Sequence, residues 1–416
     1  MLENLDKKKI ILLVFVFVLV IGVGYFLYWV WKPAEILQPI NNENGIIGGN
    51  FPITNVGNVP VINVGNDSLP VINGELPIST QKPSEVANGG ITATTAVVTD
   101  PVKAPQVAGD KLRYYNTLDG KFYELGADGQ RQALADARYF GADNVTWSPR
   151  ADKAVLEFPD GSNIVYDLNL KKQFTLPKEM TSFSFSPSGS ELAGKFIGTT
   201  SGDQWLVTVN TDGSSLTGVE AMGDNADKVQ VAWSPNDQVI ALSKTGEPQG
   251  LFQQEVLLIG KNKENFRSLI TDGRGFEGSW SPDGKNLLYS VFNESSDYQP
   301  TLWVVEGSPD RIGYNKRSVG LNTWVEQCTF ANTQVAYCSV PLNLPSGAAF
   351  TPEIAKTLPS EIYKIDLASG LTNLIATPVN DAGRGMPATN LQLSSDGQWL
   401  YFLDASNGVI RRVQLK

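Results

Sequence analysis

The fold of this 416-residue chain is decided by the stretch Trp280-Ser281-Pro282-Asp283-Gly284, which the apolar run Leu287-Leu288-Tyr289 follows. Three close copies begin at Trp147, Phe185 and Trp233, and two degenerate copies begin at Phe330 and Leu393. Each copy precedes a short apolar run. A repeat of about 40–50 residues with strands on both sides of a turn is typical of a β-propeller, which is built from small sheets around a channel.

Each position of the repeat has a physical role. Proline fixes φ at the second residue of a tight turn, and glycine supplies the positive φ that lets the hairpin continue. The residue before the turn ends an inner strand, where it fills the wedge between neighbouring blades; burying it contributes about 1.5–3 kcal/mol. We therefore interpret one residue of each copy as a packing element: Trp147, Phe185, Trp233, Trp280, Phe330 and Leu393.

The number of blades depends on the two ends of the repeat region. Residues 112–134 form three strands that have no inner strand, and residues 391–415 form three strands that have no fourth. Counting the first unit as a blade of its own gives seven blades, which we favour, whereas pairing it with the last unit gives six. Either arrangement is an all-β propeller of four-stranded blades over residues 110–416, in which joining the chain ends protects the sheet edges.

The copies resemble the WSPDG-type repeats of TolB-like propellers, which are relatives of the WD-repeat propellers, over residues 112–416. This resemblance implies the fold. Members of the superfamily serve as envelope scaffolds and as substrate-gating domains of peptidases, so the resemblance does not select one function.

Residues 10–31 contain no charged side chain and are long enough to cross a hydrocarbon core of about 30 Å. Lys7, Lys8 and Lys9 precede this run, so residues 1–9 are predicted to be a cytoplasmic tail and the propeller to lie outside the cell membrane. The run ends in bulky aromatic residues without a small-residue cleavage site. These features favour an uncleaved single-pass anchor in the bilayer over a cleaved signal peptide.

Residues 32–109 are rich in Asn, Gly, Pro, Val, Ser and Thr and contain few aromatic residues. The near-repeats Pro60-Val61-Ile62-Asn63 and Pro70-Val71-Ile72-Asn73 give this segment low complexity. Frequent proline blocks helix, and isolated apolar residues do not assemble a core. We predict a flexible linker; the alternative is that its Val-Ile pieces add strands to a partner's sheet.

The composition excludes several function classes. The chain has no histidine, which removes Ser-His-Asp and Cys-His catalysis and imidazole metal ligands. No G-x-S-x-G elbow and no P-loop of the form G-x-x-x-x-G-K-[ST] is present. Two cysteines do not build a four-sulfur zinc site, and a net charge of −10 disfavours nucleic acid as a partner. We expect no catalytic residue, metal or cofactor.

The remaining charged candidates have ordinary explanations. Asp224 and Asp227 invite a cation or glycosidase site, but we interpret them as solvated loop acids. Arg274 precedes an inner strand and is interpreted as a surface arginine, the alternative being an anion ligand at the channel mouth.

Cys328 and Cys338 flank the turn 331–334 and are predicted to lie opposite each other on adjacent strands. Opposed Cβ atoms in a hairpin are about 4.5–5.5 Å apart, and a bulge brings them to bonding distance. An extracytoplasmic compartment would preserve a disulfide, while the alternative is two buried thiols.

Two functions fit these observations. The first is a non-enzymatic, membrane-tethered interaction or scaffold module that binds an envelope protein, peptide or glycan. The second is a carboxylate-based glycan-binding protein or glycosidase that uses the propeller channel.

Overall fold

The computed structural model describes residues 82–247, 249–250, 252–264 and 266–415. The predicted tail (1–9), the predicted membrane span (10–31) and the linker up to residue 81 lie outside this range. Within it, no helix has the length and apolar character needed to cross a bilayer.

Two strands precede the first blade, β1 (Gly90–Ala93) and β2 (Thr95–Val98). The strands of the seven blades follow in chain order. They are, in blade 1, β3 (Val102–Ala108), β4 (Lys111–Asn116), β5 (Phe122–Leu125) and β6 (Arg131–Ala133); in blade 2, β7 (Asn144–Trp147), β8 (Lys153–Glu157), β9 (Asn163–Asp167) and β10 (Lys172–Leu176); in blade 3, β11 (Met180–Phe185), β12 (Glu191–Ile197), β13 (Gln204–Asn210) and β14 (Thr217–Ala221); in blade 4, β15 (Val229–Val231), β16 (Val239–Ser243), β17 (Gln254–Gly260) and β18 (Leu269–Thr271); in blade 5, β19 (Arg274–Trp280), β20 (Asn286–Phe292), β21 (Thr301–Glu306) and β22 (Arg317–Ser318); in blade 6, β23 (Cys328–Phe330), β24 (Val335–Pro341), β25 (Ser360–Asp366) and β26 (Thr372–Val379); and in blade 7, β27 (Ala388–Leu393), β28 (Trp399–Asp404) and β29 (Val409–Gln414).

Among the described residues, six short 3-10 segments lie in the connections: η1 (Ser201–Asp203), η2 (Gly223–Lys228), η3 (Glu294–Ser296), η4 (Val325–Gln327), η5 (Ala348–Phe350) and η6 (Pro352–Lys356).

Successive strands within each blade pair antiparallel, and the first strand of each blade is the inner one. Inner strands of neighbouring blades contact each other, including β27 with β3 and β3 with β7, so the ring closes. The protein is therefore a seven-bladed propeller, as favoured from the repeats, and the six-bladed alternative is wrong.

The N-terminal side of the ring differs from the sequence prediction. β3 supplies the inner strand that blade 1 was expected to lack. β2 pairs antiparallel with β29 and becomes the fourth strand of blade 7, while β1 pairs parallel with β26 as a fifth strand of blade 6. The linker boundary at residue 109 is therefore wrong, because residues 90–108 belong to the propeller. These short strands lack the repeat motif and are stabilised by the edges they cover.

The core is divided among the spaces between adjacent blades. One cluster, for example, joins Leu242 and Val256 of blade 4 to Phe276 and Tyr289 of blade 5. Adjacent blades pack face to face, so each sheet buries both faces against its neighbours.

Candidate functional site

The repeat residues lie in the walls between blades. Phe185, Trp233 and Trp280 are buried, whereas Trp147, Phe330 and Leu393 are partly buried and pack against core clusters. The Trp147 Nε1 atom donates to the Ala104 carbonyl in blade 1, at 2.8 Å. The Trp280 Nε1 atom likewise donates to the Ala232 carbonyl in blade 4, at 3.2 Å. The indole rings of Trp147 and Trp280 therefore pack against the neighbouring blade.

The predicted disulfide between Cys328 and Cys338 is present. The two residues are direct partners in the β23–β24 ladder, so no bulge is needed to bring them together. Their Cα atoms are 4.0 Å apart. The bond holds the inner hairpin of blade 6 directly after η4.

The antiparallel order gives the propeller two unlike faces. The turn face carries the connections from first to second and from third to fourth strands, including every Ser-Pro turn. The loop face carries the connections from second to third strands and those between blades. The longest of its connections within a blade is residues 342–359 of blade 6, which includes η5 and η6.

An exposed aromatic cluster lies on the loop face over blades 5 and 6. The Phe350 side chain at the end of η5 is 65% exposed, and Tyr298 is 39% exposed. The Phe350 ring lies edge-on to Phe292 with centroids 4.9 Å apart, and its centroid is 5.7 Å from that of Tyr298. The Phe292 ring in turn lies over Gly275. A Cβ atom added to residue 275 would be 2.2 Å from the Phe292 Cε1 atom.

The loops that present this cluster are rigidly held. Asp297 and Tyr298 both have φ of 53°, a conformation that costs a non-glycine residue about 1–2 kcal/mol. Hydrogen bonds fix it: the Gly347 N–H donates to the Asp297 carbonyl at 2.9 Å, and the Ala349 N–H donates to the Tyr298 carbonyl at 3.0 Å. The blade 6 loop is also anchored by a small core of Trp324, Ala348 and Ala355.

Charged side chains gather where the inner strands begin on the loop face. Lys244 bridges blades 4 and 5 through an ion pair with Glu277, at 3.0 Å. Burial, and next the nearby charge of Lys244, lower the pKa of Lys195. Glu326 lies in η4 and is exposed; partial desolvation, and next the charge of Glu277, raise its pKa. Lys195, Lys244, Glu277 and Glu326 therefore form one cluster of mixed charge.

Of the other charged candidates, Asp227 lies close enough to Lys195 for its negative charge to oppose the lowering of the Lys195 pKa. Asp224 and Asp227 are part of η2. Arg274 begins β19 with an exposed side chain, whose Nη2 atom donates to the Gly250 carbonyl at 3.3 Å. Across residues 82–415, apart from the three positions omitted from the description, no three cysteine or carboxylate side chains are placed to share a metal ion.

Sequence reasoning missed the aromatic cluster, because Phe292, Tyr298 and Phe350 are separated in the chain and none belongs to a repeat motif. The only available signal was the length of the segment between β24 and β25, which exceeds that of the corresponding segments in other blades.

Comparisons with known proteins agree with the fold. No family model matches the chain, and no curated protein matches it. The β-propeller domain of Cps50 (Swd1) from Myceliophteria thermophila superposes with a TM-score of 0.52 at 12% identity, over 78% of this chain and all of that domain.

Two further similar structures are oligogalacturonate lyases. One, solved in complex with manganese, has a TM-score of 0.51 at 14% identity over 75% of this chain and 88% of its own. The other, from Vibrio parahaemolyticus, has a TM-score of 0.50 at 11% identity over 78% and 93%. At these identities the likeness establishes the propeller class alone.

Proposed function

We propose that this chain is a non-enzymatic, membrane-tethered interaction module whose propeller lies outside the cytoplasmic membrane. In this proposal the aromatic cluster of Phe292, Tyr298 and Phe350 is the surface that binds an envelope protein or peptide. The exposure of Phe350 on a rigid loop is the observation that carries the proposal.

The aromatic cluster is exposed, and its loops are held in one conformation by hydrogen bonds. A solvent-facing aromatic ring gains nothing from burial in the free protein, yet aromatic residues dominate the binding energy of interfaces. The loops here also hold two non-glycine residues in a strained conformation, and such strain concentrates where a ligand is clamped. Because the loops are ordered before binding, a partner would not need to order them.

The tether part of the proposal rests on the sequence of residues 1–31, with three lysines before an uncharged run. Protease added to intact, wall-stripped cells should digest the propeller. Protection of the propeller, or recovery of a soluble form that begins after Trp31, would contradict the topology.

The binding surface is tested by quantitative affinity capture of the full-length chain from detergent-solubilised membranes. The wild type is compared with a Tyr298→Ala/Phe350→Ala variant and with Leu371→Ala as the control. Leu371 is 68% exposed but lies on the turn face of blade 6. We expect the double variant to lose the captured partner and the control to retain it. Equal capture by all three chains would contradict this surface.

The alternative function is a glycan-binding protein or glycosidase. The captured protein from the same detergent-solubilised membranes distinguishes it from an interaction module. A partner released by free oligosaccharide, or glycan hydrolysis that depends on a carboxylate at the channel mouth such as Glu326, would favour it.

A further inference from the structure

A cleft lies on the loop face in blade 3, and its chemical character differs from that of the aromatic cluster over blades 5 and 6. It has a volume of about 380 Å³ and is lined by Glu179, Phe196, Gly198, Thr199, Asp203 and Trp205. The lining therefore combines two aromatic rings with two carboxylates and contains no basic side chain.

The aromatic part of the cleft is the surface end of a packed core. Phe196 and Trp205 are direct partners on β12 and β13, so their side chains lie on the same side of the sheet. Phe196 packs against the core between blades 2 and 3. Trp205 remains 37% exposed.

The Trp205 ring is held in one orientation. Its Nε1 atom donates to the Gly202 carbonyl at 3.2 Å. The ring covers Gly218, where a Cβ atom would lie 3.2 Å from the Trp205 Cε3 atom. One face of the ring is therefore packed on backbone, and the exposed part of the side chain is available to a ligand.

The acidic part is built by a tight loop. The Asp203 N–H donates to the Thr200 carbonyl at 2.9 Å, and the Thr200 hydroxyl donates to Asp203 Oδ2 at 2.7 Å. Gly198 permits this closure, because a Cβ atom there would be 2.4 Å from the Asp203 Cβ atom. Glu179 comes from the connection between blades 2 and 3, so the two carboxylates reach the cleft from separate segments.

We propose that this cleft binds a cationic side chain, lysine or arginine, of a basic peptide segment. Ionised carboxylates accept hydrogen bonds and do not donate them, which matches the donors of an ammonium or guanidinium group. The face of an indole attracts the same cations. A neutral sugar would donate hydroxyl hydrogen bonds to these carboxylates but would bring no positive charge to them. This site is separate from the aromatic cluster over blades 5 and 6.

The test uses the full-length chain in detergent micelles, labelled with 5-fluorotryptophan and observed by fluorine NMR. The Trp205 resonance is the one absent from a Trp205→Phe variant. The probes are a pentaarginine peptide, a pentacitrulline peptide of the same shape without charge, and a neutral pentasaccharide.

We expect pentaarginine to shift the Trp205 resonance saturably and pentacitrulline to leave it unchanged. A Glu179→Gln/Asp203→Asn variant should bind pentaarginine about tenfold more weakly, which corresponds to about 1.4 kcal/mol. The control is Asp110→Asn/Asp310→Asn, which removes the same charge from exposed positions elsewhere and should bind like the wild type.

Equal binding by the two double variants would overturn the proposal, because attraction to net negative charge would then explain the shift. A shift caused by the pentasaccharide and not by pentaarginine would overturn it in favour of a glycan site. The Tyr298→Ala/Phe350→Ala variant should bind pentaarginine normally, so failure of the blade 5 and 6 surface is distinguishable from failure of this cleft.

Discussion

The serine of the repeat motif has a role that the turn chemistry of its neighbours does not suggest. In blade 5 the Ser281 hydroxyl accepts from the Asn286 N–H at 2.9 Å and donates to Asp283 Oδ1 at 2.8 Å. Ser148, Ser186, Ser234 and Ser394 accept in the same way from the backbone N–H five residues later. In blade 6 Ala331 lacks the hydroxyl, and Asn332 Oδ1 accepts from the Val335 N–H at 3.0 Å instead.

Ser281→Ala should lower the free energy of unfolding by about 1–3 kcal/mol, because the Asn286 N–H loses its partner at a partly buried turn. Chemical denaturation measures the loss. The matched control is Ala331→Ser, which should change stability by less than about 0.5 kcal/mol because Asn332 already occupies the role. Equal effects of the two substitutions would contradict this account of the motif.

Trp280→Ala should cost about 3–5 kcal/mol, the range for truncating a buried aromatic side chain. Trp280 is 8% exposed and packs in the cluster between blades 4 and 5. Thermal denaturation of the variant measures the loss. A variant that melted like the wild type but no longer bound a partner would show that the ring is a ligand platform.

At the scale of single elements, the disulfide stabilises one hairpin. It joins residues ten positions apart, so the loop it closes is short. The entropic model gives less than the ~3 kcal/mol of a fifteen-residue loop.

A Cys328→Ala/Cys338→Ala variant should therefore fold with a modestly lower melting temperature. Alanine is preferable to serine because Cys338 is fully buried and a hydroxyl there would need a partner. Reductant should lower the melting temperature of the wild type and leave that of the variant unchanged. Two free thiols in mass spectra of non-reduced protein would contradict the bond.

The segment from β1 to β3 joins three blades, and a buried polar contact fixes its middle. Thr94 lies between β1 and β2; its hydroxyl donates to the Val379 carbonyl at 2.9 Å and accepts from Arg411 Nε at 2.7 Å. Arg411 is 6% exposed, so Thr94 is one of the few partners of a buried cation.

Thr94→Val should lower stability by about 1.5–3 kcal/mol, because it keeps the shape and leaves Arg411 Nε without this acceptor. Thr95→Val is the control, since Thr95 is exposed on β2 and the substitution should be nearly neutral. Denaturation of the two variants side by side makes the comparison. Equal stability would show that the ring closure does not depend on this contact.

At the scale of the whole molecule, ring closure determines which part of the chain resists proteolysis. Bonds in residues 90–108 are part of three sheets and should be cut only when the propeller opens. Limited proteolysis of the full-length chain should therefore leave a fragment that begins before Gly90, as determined by mass spectrometry. A stable fragment that begins near Asp110 would show that β1, β2 and β3 are dispensable.

The propeller class followed from the sequence, because the repeat is local: an aromatic residue, a Ser-Pro turn and an apolar run act within one hairpin. The sequence favoured seven blades over six, and β3 as the inner strand of blade 1 decided the count. The cysteine pairing also followed, since both residues lie on the same hairpin.

The closure of the ring and the candidate surfaces were decided by the tertiary structure. β1 and β2 carry no motif, and they become strands because residues more than 280 positions later present open sheet edges to them. Phe292, Tyr298 and Phe350 meet because two loops of adjacent blades pack together. Asp203 and Trp205 are neighbours in the chain, but Glu179 joins them because the connection between blades 2 and 3 lies beside theirs on the loop face. Local sequence does not encode which connections of a propeller touch.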